Sequence, residues 1–390
     1  MAIFSCPAAA LFNELETEQD VVILDVRNEK DFARFHIESS KPFKLCNVSY
    51  YRFMETEEEA VAAVPRGPGI RITCAKEGSA KYVAEILDKH GFANVAYLAG
   101  GIKSWGNMLV PKLVAAGQGY ELHQFIRPGK ASCSYGLICG REMMLFDPSR
   151  NVDFYLAFAK EKGAEITKIF ETHLQADYIS GSSQLLEQCG AALHANAEDF
   201  GGAQLPFIPL TDGEFHSFAN GGPQVQVIFT PGHTPGSTSY IIDGKYMLSG
   251  DTVFLASVGR PDLGGQAEAW AVRLYATISR ILREFDRSLQ VLPGHYMNWQ
   301  EADARAVFTA TLAEVIERNK HIYSIGTEAD FIHFIKENIR QQPEEYARIR
   351  LINAGREQVS LEEADLLDLG KNECAATAHA QAKTAQPAAN

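Results

Sequence analysis

The stretch Thr230-Pro231-Gly232-His233-Thr234-Pro235-Gly236-Ser237 is the part of the sequence that decides the fold. It follows residues 225–229 (VQVIF), a run typical of a buried β-strand. A Pro-Gly pair favours a turn, so the imidazole of His233 should swing out where the strand ends. The Pro-Gly-His form recurs at Pro293-Gly294-His295. A single histidine of this kind is most often structural, but its repetition favours metal ligation.

Two further segments have the same layout. Thr172-His173-Leu174-Gln175-Ala176-Asp177-Tyr178 follows a predicted strand at residues 166–170, and Leu248-Ser249-Gly250-Asp251-Thr252 ends another. Histidines and carboxylates at four strand ends are hard to explain by core packing, and they predict a metal centre. In the same block, residues 301–316 and 330–341 are predicted to be helices.

The four segments resemble the metallo-β-lactamase superfamily over roughly residues 120–295. This resemblance implies an αββα sandwich. In the hydrolytic members the first segment reads His-x-His-x-Asp-His and builds two adjacent metal sites. Gln175 and Tyr178 stand here where those members have the second and third histidines. A second metal would keep only Asp177 and His295, so one metal is expected.

Within that superfamily the residues resemble the persulfide dioxygenase branch. The resemblance makes His173, His233 and Asp251 the ligands of one non-haem iron(II), a facial set that leaves positions open for substrate and O2. It places Gln175, Asp177, Tyr178 and His295 around these ligands. It also implies that Arg260 binds a carboxylate of glutathione, for which a guanidinium is suited. A salt bridge from Arg260 to Asp262 is the alternative.

A second chemical centre is predicted near the amino end of the chain. Cys74 lies between a buried strand at residues 70–73 and a predicted helix at residues 79–90. Backbone N–H groups and the helix dipole at such a turn favour a thiolate. The predicted loop consists of Ala75, Lys76, Glu77, Gly78 and Ser79, in which the glycine lets the backbone curl and the serine caps the helix. The alternative is a buried structural cysteine.

The surroundings of Cys74 resemble the rhodanese family. The matching motifs are Leu24-Asp25-Val26-Arg27 with Glu29, Phe32 and His36-Ile37, and the closing run Leu98-Ala99-Gly100-Gly101-Ile102-Lys103-Ser104-Trp105. The resemblance implies a parallel α/β domain that carries sulfane sulfur as a persulfide on Cys74. The expected organisation is therefore a rhodanese domain at residues 1–110, a linker near Pro111 to Gly119, and a metallo-β-lactamase domain at residues 118–367. An alanine-rich tail at residues 371–390 is predicted to be disordered.

Composition excludes several classes of function. Acidic residues outnumber basic ones by 49 to 36, which gives a net charge of −13. Such a charge repels phosphate and anionic lipid, so neither nucleic acid nor membrane is an expected partner. No apolar run approaches the roughly 18 residues of a spanning helix, and the start lacks signal or transit features. Seven cysteines without a CxxC pair predict reduced thiols and a cytoplasmic protein. Assembly into a homo-oligomer is left open by the sequence.

Together the resemblances predict a persulfide dioxygenase fused to a rhodanese. Glutathione persulfide, or another low-molecular-weight persulfide, would be oxidised by O2 to sulfite and thiol. Cys74 would load the persulfide or combine sulfite with sulfane sulfur to give thiosulfate. Two alternatives stay open. One is a zinc thioester hydrolase of the glyoxalase II kind, and the other is a non-catalytic second domain with sulfur relay through Cys74 alone.

Overall fold

The computed structural model describes residues 3–17, 20–117 and 119–376. The chain forms two compact units. Of the described residues, the first consists of 3–17, 20–110, 127–130 and 369–371, and the second of 111–117, 119–126, 131–368 and 372–376. No helix in the described part of the chain is both long and apolar enough to cross a bilayer.

The first unit is a parallel α/β domain, as the sequence predicts. Its strands are β1 (Phe4–Cys6), β2 (Val22–Asp25), β3 (Lys44–Asn47), β4 (Ile70–Thr73) and β5 (Val95–Leu98). Its helices are α1 (Ala8–Glu16), α2 (Glu29–Arg34), α3 (Tyr50–Glu55), α4 (Glu57–Ala62), α5 (Glu77–Lys89) and α6 (Gly101–Asn107). The sheet order is β1-β5-β4-β2-β3, with every neighbouring pair parallel.

Strand β4 and helix α5, which flank Cys74, both pack in the core of the first unit. All residues of β2 and β4 are buried, which is typical of strands covered on both faces. Helix α5 buries Ala80, Val83, Ala84 and Leu87, which recur at helical spacing, in the core of the first unit. The helix begins two residues earlier than the predicted Ser79. Lys76 is therefore at the N-cap, and Gly78 and Ser79 lie inside the first turn.

The second unit contains two sheets. The strands of the first are β6 (Val110–Gly117), β7 (Tyr120–Arg127), β8 (Ser132–Cys139), β9 (Glu142–Phe146), β10 (Glu165–Phe170), β11 (Ala192–Ala195) and β12 (Ile208–Pro209), in the order β12-β11-β10-β9-β8-β7-β6. Those of the second are β13 (Phe215–His216), β14 (Val225–Phe229), β15 (Thr238–Ile242), β16 (Tyr246–Gly250), β17 (Gln290–Pro293) and β18 (Ala310–Thr311), in sequential order.

Helices accompany both sheets, and an aromatic core lies between the sheets. The helices are α7 (Val152–Glu161), α8 (Ser182–Cys189), α9 (Ala197–Phe200), α10 (Ala267–Glu284), α11 (Leu312–Arg318), α12 (Lys320–Tyr323), α13 (Glu328–Asn338), α14 (Glu345–Asn353) and α15 (Leu361–Leu367), with a 3₁₀ turn at Trp299–Glu301. Phe146 and Phe170 of the first sheet both contact Tyr240 of the second, with ring centroids 5.3 Å apart in each pair. This arrangement is the predicted αββα sandwich.

Two sequence expectations about local structure are wrong. Residues 111–117, expected to be a linker, belong to strand β6. Of the helix predicted at residues 301–316, only the part from Leu312 is helical. The Asp303 side chain accepts hydrogen bonds from the N–H groups of Arg305 and Val307, and such local bonds compete with a helix.

Residues 372–376, which were predicted to belong to a disordered tail, are part of the second unit. Cys374, Ala375 and Ala376 are buried, and Ala375 pairs with Gly259 in an antiparallel bridge. A small core cluster that includes Phe254, Leu263, Cys374 and Ala375 holds the segment. Composition alone missed this contact because short alanines can be buried without any apolar periodicity. Residues 377–390, the rest of the predicted tail, lie outside the described residues.

Candidate metal centre and sulfur-transfer loop

Strand ends in the second unit bring the predicted side chains together. His173 follows β10, His233 lies in the turn between β14 and β15, Asp251 follows β16, and His295 follows β17. The four residues are between 1% and 3% exposed. Four segments that are distant in the sequence therefore meet at one buried place.

Three of these residues form a compact donor set. The Asp251 Oδ2 atom lies 3.6 Å from His233 Nε2 and 3.9 Å from His173 Nε2, and all three donor atoms lie within 4.8 Å of one another. Among the described residues, neither His173 Nε2 nor Asp251 Oδ2 has a hydrogen-bond partner. Buried polar atoms without partners are costly, so the donor set fits a divalent cation.

Hydrogen bonds fix both imidazole rings with Nε2 toward this set. The Thr172 hydroxyl donates to Asp147 at 2.9 Å, so it accepts from His173 Nδ1, also at 2.9 Å. His233 Nδ1 donates to the backbone oxygen of Arg260 at 2.9 Å. Burial lowers the pKa of both rings, that of His173 to about 3, so they are neutral ligands. Thr172 and Asp147 therefore position His173, a role that no sequence signal indicated.

Asp199 joins the two histidine-bearing loops. It accepts hydrogen bonds from the N–H of Leu174 at 3.1 Å, the hydroxyl of Thr234 at 2.7 Å and the N–H of Gly236 at 2.7 Å. Burial raises the pKa of Asp199, against the opposing effect of these donors. The residue lies in α9, far in sequence from either histidine, and no motif predicted its role.

Close packing explains the glycine in both Pro-Gly-His motifs. Gly232 has a φ of 149°, and a Cβ there would lie 2.5 Å from Leu274 Cα in α10. A Cβ at Gly294 would lie 2.6 Å from Asp251 Oδ1. Both glycines therefore allow backbone to approach where a side chain would displace the site.

His295 connects Asp251 to the next carboxylate. Its Nδ1 lies 2.7 Å from Asp251 Oδ1, and its Nε2 lies 3.0 Å from Asp177 Oδ2. Burial opposes protonation of the ring, but the two carboxylates outweigh it and raise the pKa of His295 to about 10. Burial disfavours the charged form of Asp251, but the three imidazoles outweigh it and lower the pKa of that carboxyl.

The two residues that replace histidines also lie at the site. Gln175 Nε2 is 3.5 Å from His173 Nδ1, and the Tyr178 hydroxyl donates to the backbone oxygen of Asp147 at 3.2 Å. Asn353, at the end of α14, donates to the backbone oxygens of Gln175 at 2.9 Å and Tyr178 at 2.8 Å. The late segment of the chain thus fixes the loop that follows His173.

Arg260 is engaged within the protein. Its guanidinium forms a bidentate ion pair with Asp262, with contacts of 2.6 and 2.5 Å, and donates to the backbone oxygen of Arg340 at 2.5 Å. The side chain is 3% exposed. The geometry therefore favours the salt bridge with Asp262 over the alternative, in which the Arg260 guanidinium binds a carboxylate of glutathione.

One further donor reaches the site from a segment that was predicted to be disordered. The Cys374 Sγ atom lies within 4.8 Å of donor atoms of both Asp177 and His295. Cys374 adds to Asp177 and His295, the two donors expected from the sequence for a second cation, because a residue of the predicted tail lies at the site. No motif around Cys374 could have indicated its position.

The first unit contains the loop predicted to transfer sulfur. Cys74 follows β4 and is 8% exposed, while residues 75–78 are exposed. Its backbone oxygen accepts from the N–H of Ile102 at 2.9 Å, and Glu77 accepts from the N–H of Gly100 at 2.6 Å. The Gly100-Gly101 turn therefore braces the loop. The first N–H groups of α5 have no partners within the helix and point toward its amino end.

Taken together, the fold and the donor set define a metal-binding two-sheet α/β protein joined to a parallel α/β unit. Residues 129–295 match the model of the metallo-beta-lactamase superfamily, and residues 8–108 match that of the rhodanese-like domain. The chain belongs to the metallo-beta-lactamase superfamily and carries an amino-terminal rhodanese-like domain.

Curated relatives are similar to part of the chain. The chain is 32% identical over 203 residues to glyoxylase B2 of Dictyostelium discoideum, covering 47% of this chain and 67% of the relative. It is 32% identical over 184 residues to the probable metallo-hydrolase YqgX of Bacillus subtilis (strain 168), covering 42% and 83%. It is 32% identical over 170 residues to a hydroxyacylglutathione hydrolase of Anaeromyxobacter dehalogenans (strain 2CP-C), covering 43% and 63%.

Two solved structures are similar to this chain over about three fifths of its length. A metallo-beta-lactamase from Staphylococcus aureus subsp. aureus COL is similar, with a TM-score of 0.55 and 26% identity over 62% of this chain and 74% of that one. ETHE1 from Myxococcus xanthus has a TM-score of 0.51 and 25% identity over 60% of this chain and 99% of its own.

Proposed function

We propose that the protein oxidises a low-molecular-weight persulfide, glutathione persulfide in the first instance, to sulfite and thiol with O2. The balanced reaction is R–S–SH + O2 + H2O → R–SH + H2SO3. A single non-haem iron(II), when bound by His173, His233 and Asp251, would supply the redox chemistry that joins persulfide and O2. The observation that carries the proposal is this set of two neutral imidazoles and one carboxylate, the facial arrangement of non-haem iron oxygenases.

The residues around the donor set prepare it for one cation. Thr172 and the Arg260 backbone orient the two rings, so both Nε2 lone pairs are available. His295 binds Asp251 Oδ1, which leaves Oδ2 facing the histidines. Burial of all three ligands excludes bulk water and strengthens their interaction with a charged ion.

One structural comparison and one feature of the sequence support oxidation over hydrolysis. ETHE1 of Myxococcus xanthus aligns over almost its whole length. Gln175 and Tyr178 replace two imidazoles of the hydrolytic His-x-His-x-Asp-His segment, a change that disfavours the usual pair of hydrolytic metals. Glutathione is the expected thiol because hydroxyacylglutathione hydrolases are among the relatives.

The rhodanese-like domain would handle the same sulfur. Cys74 would accept sulfane sulfur as a persulfide and pass it to sulfite: Cys74–S–S⁻ + SO3²⁻ → Cys74–S⁻ + S2O3²⁻. In the other direction thiosulfate would load the cysteine, Cys74–S⁻ + S2O3²⁻ → Cys74–S–S⁻ + SO3²⁻. A thiol would then take up the sulfur to give the substrate, Cys74–S–S⁻ + R–SH → Cys74–S⁻ + R–S–SH. The position of Cys74 just before α5 supports either direction, because the amino end of a helix attracts an anion.

Thioester hydrolysis is the second candidate function, favoured by the names of the relatives. Exchanging the bound metal distinguishes persulfide oxidation from thioester hydrolysis. Protein freed of metal is loaded with iron(II) or zinc(II), and O2 uptake with glutathione persulfide and cleavage of an acylglutathione are both measured. Persulfide oxidation predicts O2 uptake by the iron form only and no thioester cleavage by the zinc form. Rapid cleavage by the zinc form without O2 uptake by the iron form would overturn the proposal.

A further inference from the structure

We infer that Cys374 carries the sulfur that is oxidised at the donor set, as a persulfide formed on its own thiol. The inference rests on the proposed persulfide oxidation and names the route by which the sulfur reaches the metal. Cys374 is 1% exposed, and its Sγ atom lies within 4.8 Å of donor atoms of Asp177 and His295. The thiol also forms a hydrogen bond with the side chain of Asp251, one of the three proposed ligands. It is thus in direct contact with the donor set.

Backbone pairing fixes where Cys374 lies. Its carbonyl oxygen accepts from the N–H of Arg260 at 2.9 Å, and the N–H of Ala376 donates to the oxygen of Val258 at 2.9 Å. Residues 372–376, the carrier segment, therefore run along the loop that follows β16. This pairing brings the sulfur to the donor set.

The surroundings of the thiol suit a sulfur atom better than a whole tripeptide. A hydrophobic cluster that includes Phe254 and Tyr346 packs around Cys374, and all three proposed ligands are between 1% and 3% exposed. Arg260, the side chain expected to bind a carboxylate of glutathione, is 3% exposed and is bound to Asp262. Glutathione has two carboxylates and an ammonium group, and burying such charges without partners is costly. A persulfide on Cys374 brings the sulfur to the site without these charges.

The outer sulfur of such a persulfide can reach the donor set. An S–S bond is about 2.0 Å long, so rotation of the Cys374 side chain can bring this sulfur beside the Asp251 carboxylate that the thiol contacts. Asp251 Oδ2 lies 3.6 Å from His233 Nε2. Among the described residues, neither this oxygen nor His173 Nε2 has a hydrogen-bond partner. The outer sulfur would therefore lie next to the atoms that are available to hold the metal.

Opening of the carrier segment gives a small persulfide access to the thiol. None of its described residues belongs to a helix or a strand. The N–H of Glu373 donates to the Tyr346 hydroxyl at 2.9 Å, and Arg340 donates to the oxygen of Ala375 at 2.5 Å. A short segment held mainly by such bonds opens far more readily than a whole domain unfolds. The transfer is R–S–SH + Cys374–SH → R–SH + Cys374–S–SH, and the oxidation after closure is Cys374–S–SH + O2 + H2O → Cys374–SH + H2SO3.

The test begins with metal-free, full-length Cys74→Ser protein, so that the rhodanese cysteine cannot hold sulfur. The protein is loaded with glutathione persulfide without O2, freed of small thiols by desalting, and analysed by peptide mass spectrometry. The peptide that contains Cys374 should be heavier by the mass of one sulfur atom. When iron(II) and O2 are then added, this extra mass should disappear, and one sulfite should be released for each Cys374 persulfide. Sulfur on the exposed Cys189 should remain, which makes that cysteine the internal control.

Two variants extend the test to turnover. Cys374→Ser should lose O2 uptake with free glutathione persulfide when it is loaded with iron(II), because the sulfur has no carrier. Cys189→Ser, which removes an exposed thiol, should keep the wild-type rate of O2 uptake. The loading measurement needs no change at Cys374, so it decides the inference even if Cys374→Ser does not fold.

Three results would overturn the inference. They are a Cys374 peptide that gains no sulfur, sulfur that stays on Cys374 while free glutathione persulfide is oxidised, and wild-type O2 uptake by folded Cys374→Ser. Loading is measured without metal or O2, so it does not depend on the oxidation. An iron-loaded wild type that consumes no O2 with free glutathione persulfide would refute the proposed oxidation, whereas failure of sulfur to load on Cys374 would refute the carrier alone.

Discussion

Asp199→Ala should weaken metal binding although Asp199 is not itself in the donor set. The carboxylate accepts three hydrogen bonds, from Leu174, Thr234 and Gly236, and so ties the His173 loop to the His233 turn. At about 1.5 kcal/mol for each bond to a charged acceptor, their loss lowers the free energy of unfolding by about 4.5 kcal/mol. Loosening the residues behind a ligand typically costs about 10- to 100-fold in metal affinity.

Two measurements on the same variant test this. Urea unfolding of the metal-free protein gives the free energy of unfolding, and competition with a chelator gives the iron(II) affinity. Asp212→Ala is the matched control, because Asp212 is an exposed carboxylate that accepts one backbone hydrogen bond, from Phe229 at 2.7 Å. A folded Asp199→Ala protein with wild-type iron affinity would refute the positioning role, as would an equal loss of affinity in Asp212→Ala.

Three further outcomes are expected. Asp251→Ala should lose iron and O2 uptake yet keep Cys74-dependent sulfur transfer, and retained O2 uptake would exclude Asp251 as a ligand. Cys74→Ser should abolish transfer of sulfane sulfur to an acceptor while O2 uptake stays near wild type; loss of both activities would show that they are not separable. Burial first, then His216, lowers the pKa of His194 to about 4, whereas the unfolded chain titrates near 6.5. Protons therefore favour the unfolded state as the pH falls through this window, and His194→Phe should flatten the resulting loss of stability in urea titrations, while an unchanged slope would contradict the assignment.

The predictable part of the fold came from periodicity and turn chemistry. Strands β4 and β14 begin and end at the predicted residues, because each is rich in β-branched residues and is bounded by turn residues. Helix α5 was predicted by its apolar spacing, but its first turn was missed because Gly78 suggested a loop. Local sequence patterns of this kind predict that a helix exists better than they predict the residue at which it begins.

Only some residues of the candidate site could be predicted from the sequence. His173, His233, Asp251 and His295 could be found from the sequence because each ends a strand in a recognisable motif. Asp199 and Cys374 could not, since their roles depend on which loops become neighbours in three dimensions. The same dependence affects Arg260, whose two interpretations differed only in whether Asp262 occupies the guanidinium.

The donor set of His173, His233 and Asp251 is proposed to support oxidation of a persulfide by O2. The most direct measurement is the stoichiometry of O2 consumed to sulfite released when anaerobically prepared, iron(II)-loaded protein is mixed with glutathione persulfide in an oxygen electrode cell. One O2 should be consumed for each sulfite released, and Asp251→Ala should neither consume O2 nor release sulfite. Iron-loaded wild-type protein that consumes no O2 with this substrate would contradict it.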